Sequence, residues 1–501
     1  MREVKEMTRE EQMKFADMQE TINFLRTSLS IQAKQISELL ERNQQQAERI
    51  EELLQKIDEL TSKGKDSHNS SKPPSSDGYG KKPAPKTLKQ PSGKKQGGQS
   101  GHKGSSLKIT REPDYVVPHY PVMCQNCANR GKCTHHVCEN RYVVDIEVKT
   151  IITQHQQMEC SCVLLNNRPI RGCFPVDVTA TKQYGTNVTA LASVLSTVGM
   201  MGMERISQVL HSITEELHMS TGTVQNMLHR LWLSSKDASD YVHDTVMQLP
   251  LLHCDETGLR VEGSLHWLHC ACDSKWSYYF LHEKRGTDAI DAMGILPGYT
   301  GILVHDCWSP YFKLKEAGHA LCGAHIAREL VYAHENLGQD WAEKLQNLLF
   351  RMLKERQRLS ESGADCFSAE QLTDYENEYD VIVSEGLELN PLPERKSNQR
   401  GRTGKGKVRS LLERLASHKY EILRFVHDWA VPFTNNEAER AIRFSKVKQK
   451  VSGCFRTKEG ATEYAETMSF INSAYKHGVS YFDAVKSALE GKALTLVQGW
   501  G

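Results

Sequence analysis

Between Phe15 and Leu60 apolar residues return every three and four positions for over six heptads, a spacing that fits one long helical seam. The a positions are Phe15, Ile22, Leu29, Ile36, Asn43, Ile50 and Ile57; the d positions are Met18, Leu25, Gln32, Leu39, Gln46, Leu53 and Leu60. Isoleucine at a with leucine at d favours a parallel two-stranded coiled coil, and a single asparagine at a fixes register and strand number. Residues 10–62 are expected to form such a coil and to pair the chain with a second copy. The plainer alternative is an amphipathic helix packed on its own globular domain, which so long a seam disfavours.

The next segment cannot build a core. From Lys63 to Lys108 there are eleven lysines against Asp66 and Asp77, among Ser, Gly, Pro and Gln. Residues 63–110 read as a flexible basic linker. Its lysines, Lys94, Lys95 and Lys103 among them, suit a phosphate backbone held through counterion release; a solvated linker without a partner is the bland reading. Over 501 residues the net charge is only +1, so the placement of charge carries this argument and its sum does not.

The first twenty residues are charged and contain no apolar signal region, and the stretch Val188–Met203 is too broken by Ser, Thr and Gly to span a bilayer. A cytoplasmic location is expected. There the 14 cysteines stay reduced, so clusters of them suggest metal or burial. Cys124-Gln-Asn-Cys127 has the spacing of a zinc knuckle. Cys160-Ser-Cys162 would close a tetrahedral site after an intervening strand pair, to which the alternating, β-branched run Tyr142–Ile152 contributes. Cys133, His135, His136 and Cys138 are rival ligands, and reduced cysteines around a small β-fold are the alternative without metal.

Residues 183–240 read as helical. Glu204–Leu210 and Ser220–Leu228 have helical spacing, with Ser220 or Thr221 as cap of the second helix. Two short helices with a turn between could enter a DNA major groove, although most helix pairs do not.

The segment Leu249–Val261 is an apolar strand carrying Asp255. Leu265–Cys272 and Trp276–Leu281 alternate as two more, with Asp273-Ser-Lys at the turn. A helix from about Asp288 to Leu296 leads to the short strand Gly301–Asp306. Three strands, a helix and a fourth strand is the order of a ribonuclease H-like fold, with Asp255 and Asp306 side by side. Paired carboxylates suit hard divalent cations, and phosphodiester chemistry needs charge neutralised on the attacking and leaving oxygens. A third acid must come from a later helix, which Asn435–Lys446 supplies. Glu439 shares its helix face with Arg443 and Lys446, whereas Glu437 shares one with Ala441 and Phe444, an apolar stripe. Between Asp306 and Glu439, helical patterning dominates residues 313–429, with a basic run at Arg395–Lys407.

Several strings are similar to those of transposases of the insertion sequence 66 family, a branch of the DDE class. They are Asn69-Ser-Ser-Lys-Pro-Pro-Ser-Ser-Asp77-Gly, Gly97-Gly-Gln-Ser-Gly-His-Lys-Gly104, His253-Cys-Asp255-Glu-Thr, His305-Asp306-Cys-Trp-Ser-Pro-Tyr311 and Asn435-Asn-Glu-Ala-Glu-Arg-Ala-Ile-Arg443. Cys322-Gly-Ala-His325 with Arg328 also matches, in a role that packing, a second metal or DNA contact would each explain. The resemblance covers nearly the whole chain.

It implies a multidomain α/β protein. A ribonuclease H-like core over 247–312 and 430–475 is interrupted by an α-helical insertion at 313–429. A coiled coil, the linker, a zinc-binding domain at 111–175 and a helical DNA-binding region precede the core, and a tail at 476–501 succeeds it. It also implies catalysis by Asp255, Asp306 and Glu439 with two Mg²⁺ ions, Mn²⁺ substituting, and structural Zn²⁺ on Cys124, Cys127, Cys160 and Cys162. The second cysteine pair departs from the family's usual Cys-x-x-Cys. Arg443 and Lys446 would face DNA. Partners implied are terminal inverted repeats, target DNA, a second copy of the chain and accessory proteins of the same element, in the nucleoid. A DNA-binding regulator with an inactive core, and a nuclease that cuts without joining, are the rival readings.

Overall fold

The computed structural model describes residues 107–500 except 126, 129–131, 135, 164–167 and 393–404, and before them Leu29, Gln32, Lys34, Gln35, Ile36, Arg42 and Gln46. Those seven are helical and exposed. The rest of the heptad segment, Lys94, Lys95, Lys103, His135, the side chain of Cys162 and most of the basic run after Arg395 lie outside the described residues. By contact the chain divides into two units, residues 1–86 with 327–346, and residues 87–326 with 347–501.

In the larger unit a five-stranded sheet is the organising element. Strands β3 (Leu251–Val261), β4 (Ser264–Cys272), β5 (Ser277–His282), β6 (Ile302–His305) and β7 (Gly318–Leu321) lie in the order β5-β4-β3-β6-β7. The first three form an antiparallel meander, and β6 and β7 then run parallel to β3. Glu262 and Gly263, with φ of 52° and 77°, make the two-residue turn from β3 to β4, the left-handed geometry that matches strand twist. The Asp273 carboxylate caps the next turn by accepting N–H groups of Lys275 and Trp276 at 2.8 and 2.6 Å.

Helices cover both faces of the sheet, so its strands are buried more continuously than strict alternation would give. Preceding it are α1 (Val122–Gln125), α2 (Thr186–Thr197), α3 (Met203–Ile213) and α4 (Thr221–Met247); α5 (Thr287–Met293) joins β5 to β6. After the sheet come α6 (Gly323–Leu337), α7 (Asp340–Glu361), α8 (Ala369–Leu389), α9 (Lys407–Ser417), α10 (Lys419–His427), α11 (Asn436–Ser452), α12 (Lys458–Lys476), α13 (Tyr481–Leu489) and α14 (Ala493–Gln498). Leu252, Cys254 and Ala271 point to one side, among Leu231, Ala238 and Val242 of α4 and Phe470 of α12. Leu259, Cys270, Cys272 and Tyr279 point to the other, against Ala438 and Ile442 of α11 and Ala465 and Met468 of α12. Helices α2, α3 and the start of α4 close a small core of their own around Ile206, Leu210, Val224 and Met227.

Several expectations change. Residues 142–152 join no strand, and Val143, Ile146, Ile151 and Ile152 are exposed. Branched side chains favour a strand only where a neighbouring strand takes the backbone hydrogen bonds, and none does so among the described residues. The strand pair of this region is instead β1 (Glu159–Cys162) with β2 (Arg168–Arg171), so Cys160 lies within it. Helix α4 is not short: Ser220 caps it by accepting Thr223 N–H at 3.1 Å, and its apolar face continues through Val246. Gly294, at φ 77°, ends α5 before Leu296. The segment 313–429, where helical patterning dominates, also contains β7, too short to show a period. The C-terminal tail at 476–501 packs on the main core, in which Val485, Ala488 and Val497 are fully buried. Among the described residues no helix is long and apolar enough to cross a membrane.

Candidate active site

Asp255 lies within β3, where it pairs with Cys270 of β4. On the other side of β3 the parallel register sets Leu251 against Ile302, Leu252 against Leu303 and His253 against Val304. Continued by two residues, it brings Asp306, just beyond β6, level with Asp255. Adjacent strands are about 4.8 Å apart, so the two carboxylates leave neighbouring backbones. Each is oriented locally: Asp255 Oδ1 accepts Glu256 N–H at 2.9 Å, and Asp306 Oδ1 accepts Trp308 N–H at 3.0 Å.

Helix α11 brings the third acid. Its N-cap, Asn435, is 1% exposed and acts as a hub. Its side-chain amide donates to Cys254 O at 2.7 Å, and its Oδ1 lies 2.9 Å from His253 Nδ1. Its backbone N–H donates to Cys322 Sγ at 3.2 Å. Asn435 thus ties the start of α11 to the two strand residues that lead into Asp255. Glu439 lies in the first turn of α11 while Ala438 and Ile442 bury the helix on the sheet.

The electrostatics join the three acids. The Asp255 carboxyl is pushed up to about 8, first by burial, then by the negative charges of Glu256, Asp306 and Glu439. Glu256 is raised by burial and by Asp306, but Arg285 and Tyr311 counteract this. Arg285 Nε donates to Glu256 Oε1 at 2.8 Å, and the Tyr311 hydroxyl donates to Oε2 at 2.8 Å. The guanidinium itself lies over the rings of Trp267 and Trp308, at 4.9 and 4.4 Å. Glu256 is therefore a paired, buried charge beside the site. Residue-type patterning missed it and Asn435 alike, because their roles depend on partners far away in sequence.

Glu439 has further neighbours. Its Oε1 is 3.6 Å from His325 Nδ1, and Cys322, His325 and Glu439 are the one group of three or more metal-competent side chains that converges among the described residues. Cys124 is half-buried and Cys127 and Cys160 are exposed, and these three do not converge in such a group. Glu437, by contrast, lies 3.9 Å from Arg440 and acts at a distance on His253. Arg443 is exposed one turn past Glu439. The Lys446 ammonium donates to Gly258 O on β3 at 2.8 Å, so its sequence-expected DNA contact competes with a bond to the chain itself.

A model of the Transposase IS66 family matches residues 181–463, a span that includes Asp255, Asp306, Cys322, His325 and Glu439. A model of a family of unknown function matches residues 15–108. No curated protein matches the chain.

Proposed function

The chain belongs to the Transposase IS66 family, and from that premise we propose a DDE-type DNA strand-cleaving and strand-joining enzyme whose three acids are Asp255, Asp306 and Glu439. As a transposase it acts on DNA and uses divalent metal in general. The observation that best supports the finer reading is the parallel register of β3 and β6, which sets Asp255 level with Asp306 while the charge of Glu439 acts on the same carboxyl. The strand order, with an antiparallel meander followed by two parallel strands, is also that of a ribonuclease H-like core.

A carboxyl such as Asp255, held un-ionised by burial and by the negative charge of neighbouring acids, fits a hard cation, whose charge favours the carboxylate. Asp255, Asp306 and Glu439 would hold Mg²⁺, or Mn²⁺ in its place. When bound there, such ions activate water and neutralise charge on the attacking and leaving oxygens. The protein's own residues orient these ligands. The Glu256 and Trp308 amides fix the two aspartates, and Asn435 holds α11 against β3. Arg443 is suited to meet the phosphate, whereas Lys446 steadies β3. Cleavage at a terminal inverted repeat would free a 3′-hydroxyl, which then attacks target DNA. A coiled coil at 10–62 would pair two copies, the linker lysines would follow phosphates, and Cys124, Cys127, Cys160 and Cys162 would hold a structural zinc.

The test is a nicking assay on terminal-repeat DNA with Mg²⁺. Asp255→Asn, Asp306→Asn and Glu439→Gln each reduce cleavage to background while retaining DNA binding, because these acids make no base contact. Glu437→Gln keeps most of the activity. Equal nicking by Asp255→Asn and the unsubstituted protein overturns the assignment. A reversed outcome for the two glutamates moves the third acid by two residues.

A further inference from the structure

Cys322, His325 and Glu439 come from two separate helix starts, yet the Cys Sγ, a His ring nitrogen and a Glu carboxylate oxygen all lie within 4.8 Å of one another. Cys322 directly precedes α6 and His325 is three residues on, so the two side chains share one face of the first turn. The turn is closed by Cys322 O, which accepts the N–H groups of His325 at 3.1 Å and Ile326 at 3.3 Å. The intervening Gly323 is required by packing, since a Cβ there would stand 2.3 Å from the Phe433 ring. Gly323 N–H also donates to Phe433 O at 2.8 Å. The Cys-x-x-His turn is thereby locked to the segment that runs from Phe433 through Asn435 into α11.

The donor set has its own chemistry. Thiolate, imidazole and carboxylate are the ligands of zinc sites with three protein donors and an open fourth position. Sulfur selects borderline ions over Mg²⁺, which prefers oxygen throughout. Tetrahedral ligands at about 2.0–2.3 Å from zinc stand roughly 3.3–3.7 Å apart. The His325–Glu439 separation of 3.6 Å already meets that, and side-chain rotation brings the sulfur in. The Asn435 N–H donates to Sγ at 3.2 Å and so orients the sulfur; burial and the nearby Glu439 hold the Cys322 thiol up, so a cation bound there displaces its proton.

We infer that Cys322, His325 and Glu439 form a second cation site that takes Zn²⁺ or another borderline divalent transition ion. The site differs in ligand chemistry from the all-oxygen site. Its consequence, that the ion fixes the orientation of the third acid, rests on the reading of Glu439 as catalytic; the site itself does not.

Cobalt is the probe. The full-length protein carrying Cys124→Ser and Cys127→Ser is stripped of metal and titrated with Co²⁺. Binding at this site gives a sulfur-to-cobalt charge-transfer band with intense tetrahedral visible bands, and excess Mg²⁺ does not displace it. Adding Cys322→Ser removes about one equivalent of cobalt and the associated charge-transfer absorption. His325→Gln weakens cobalt binding at least tenfold, with folding checked by circular dichroism. Zinc X-ray absorption with Cys322 intact shows a single sulfur among nitrogen and oxygen neighbours, a readout that does not depend on the serine variant folding. Unchanged cobalt stoichiometry and spectrum in both variants, or zinc without sulfur, overturns the site. If the cobalt signature is present but Glu439→Gln still nicks DNA, the cation site stands and the catalytic reading falls. If Glu439→Gln abolishes nicking but neither variant loses cobalt, the cation site falls and the catalytic reading stands.

Discussion

Asp255 keeps a carboxyl where ionisation is resisted by burial and by three neighbouring acids, and this makes it a reporter of the site. Its folded value, about 8, lies above its ordinary 3.8. A carboxyl raised in this way contributes stability that is fully present below 3.8, declines as pH rises, and is lost once pH passes about 8. In a chelator, the thermal midpoint should therefore fall from pH 5 to pH 8.5, and Asp255→Asn should flatten that fall by several degrees. Mg²⁺ should restore the midpoint most strongly at the alkaline end, where the ligand is already deprotonated, and its binding near neutral pH should release protons. Calorimetry in two buffers of different ionisation enthalpy measures that release, and identical heats would count against the assignment. At this scale chemistry names Asp255 and Asp306 as candidates by residue type, and the register of β3 and β6 sets the two level. The sequence was silent where a side chain serves a distant partner, as Glu256 serves Arg285 and Tyr311.

Between elements, the joint between β3 and α11 sets where the first turn of α11, with Glu439, stands against the strand that carries Asp255. Asn435 makes that joint with its amide on Cys254 O, its Oδ1 beside His253 Nδ1 and its backbone N–H on Cys322 Sγ. Asn435→Ala would strand two buried polar groups at about 1–3 kcal/mol each. It should lower the denaturant midpoint and reduce Mg²⁺-dependent nicking far more than DNA binding; a variant with unaltered stability and nicking would show that the joint is held elsewhere. The elements themselves were readable in proportion to their length and partners. Strands β3, β4 and β5 carry long alternating runs next to each other in sequence, and each emerged within a residue or two. The run Tyr142–Ile152 carries as good a pattern but has no paired strand among the described residues. Strand β7, four residues of Gly-His-Ala-Leu, carries almost no pattern and owes its existence to β6 alongside it. Pattern states what a segment can do; a neighbour decides whether it does so.

At the scale of the molecule, a long, mostly helical stretch separates Asp306 from Glu439, and the chain must return to the sheet at a defined point. Arg356 of α7 marks that point. Its Nη1 donates to Phe425 O and Val431 O at 2.8 Å each, its Nη2 donates to Trp429 O, and its guanidinium lies 5.8 Å from the Trp429 ring centre. Val431 is fully buried with Val304 of β6 and Ala320 of β7, so the fork pins the last residues of the helical stretch where the sheet receives them, just before Asn435. None of this was visible in the sequence, where Arg356 is one of many charged residues on an amphipathic helix. Hydrogen bonds from a charged group contribute about 1.5–3 kcal/mol each net of exchange with water, and bonds that share one guanidinium are not additive, so Arg356→Ala should cost about 2–4 kcal/mol. Lysine keeps the charge but not the planar fork that reaches three carbonyls at once, and Arg356→Lys should recover less than half of the loss. Both variants should shift the Mg²⁺ dependence of nicking to higher concentration, because the acids are less well gathered, while terminal-repeat DNA is still bound. Urea unfolding of the full-length protein together with a Mg²⁺ titration of nicking decides the matter. An alanine variant with the original midpoint and the original Mg²⁺ dependence would mean that the helical stretch returns to the sheet without this clamp.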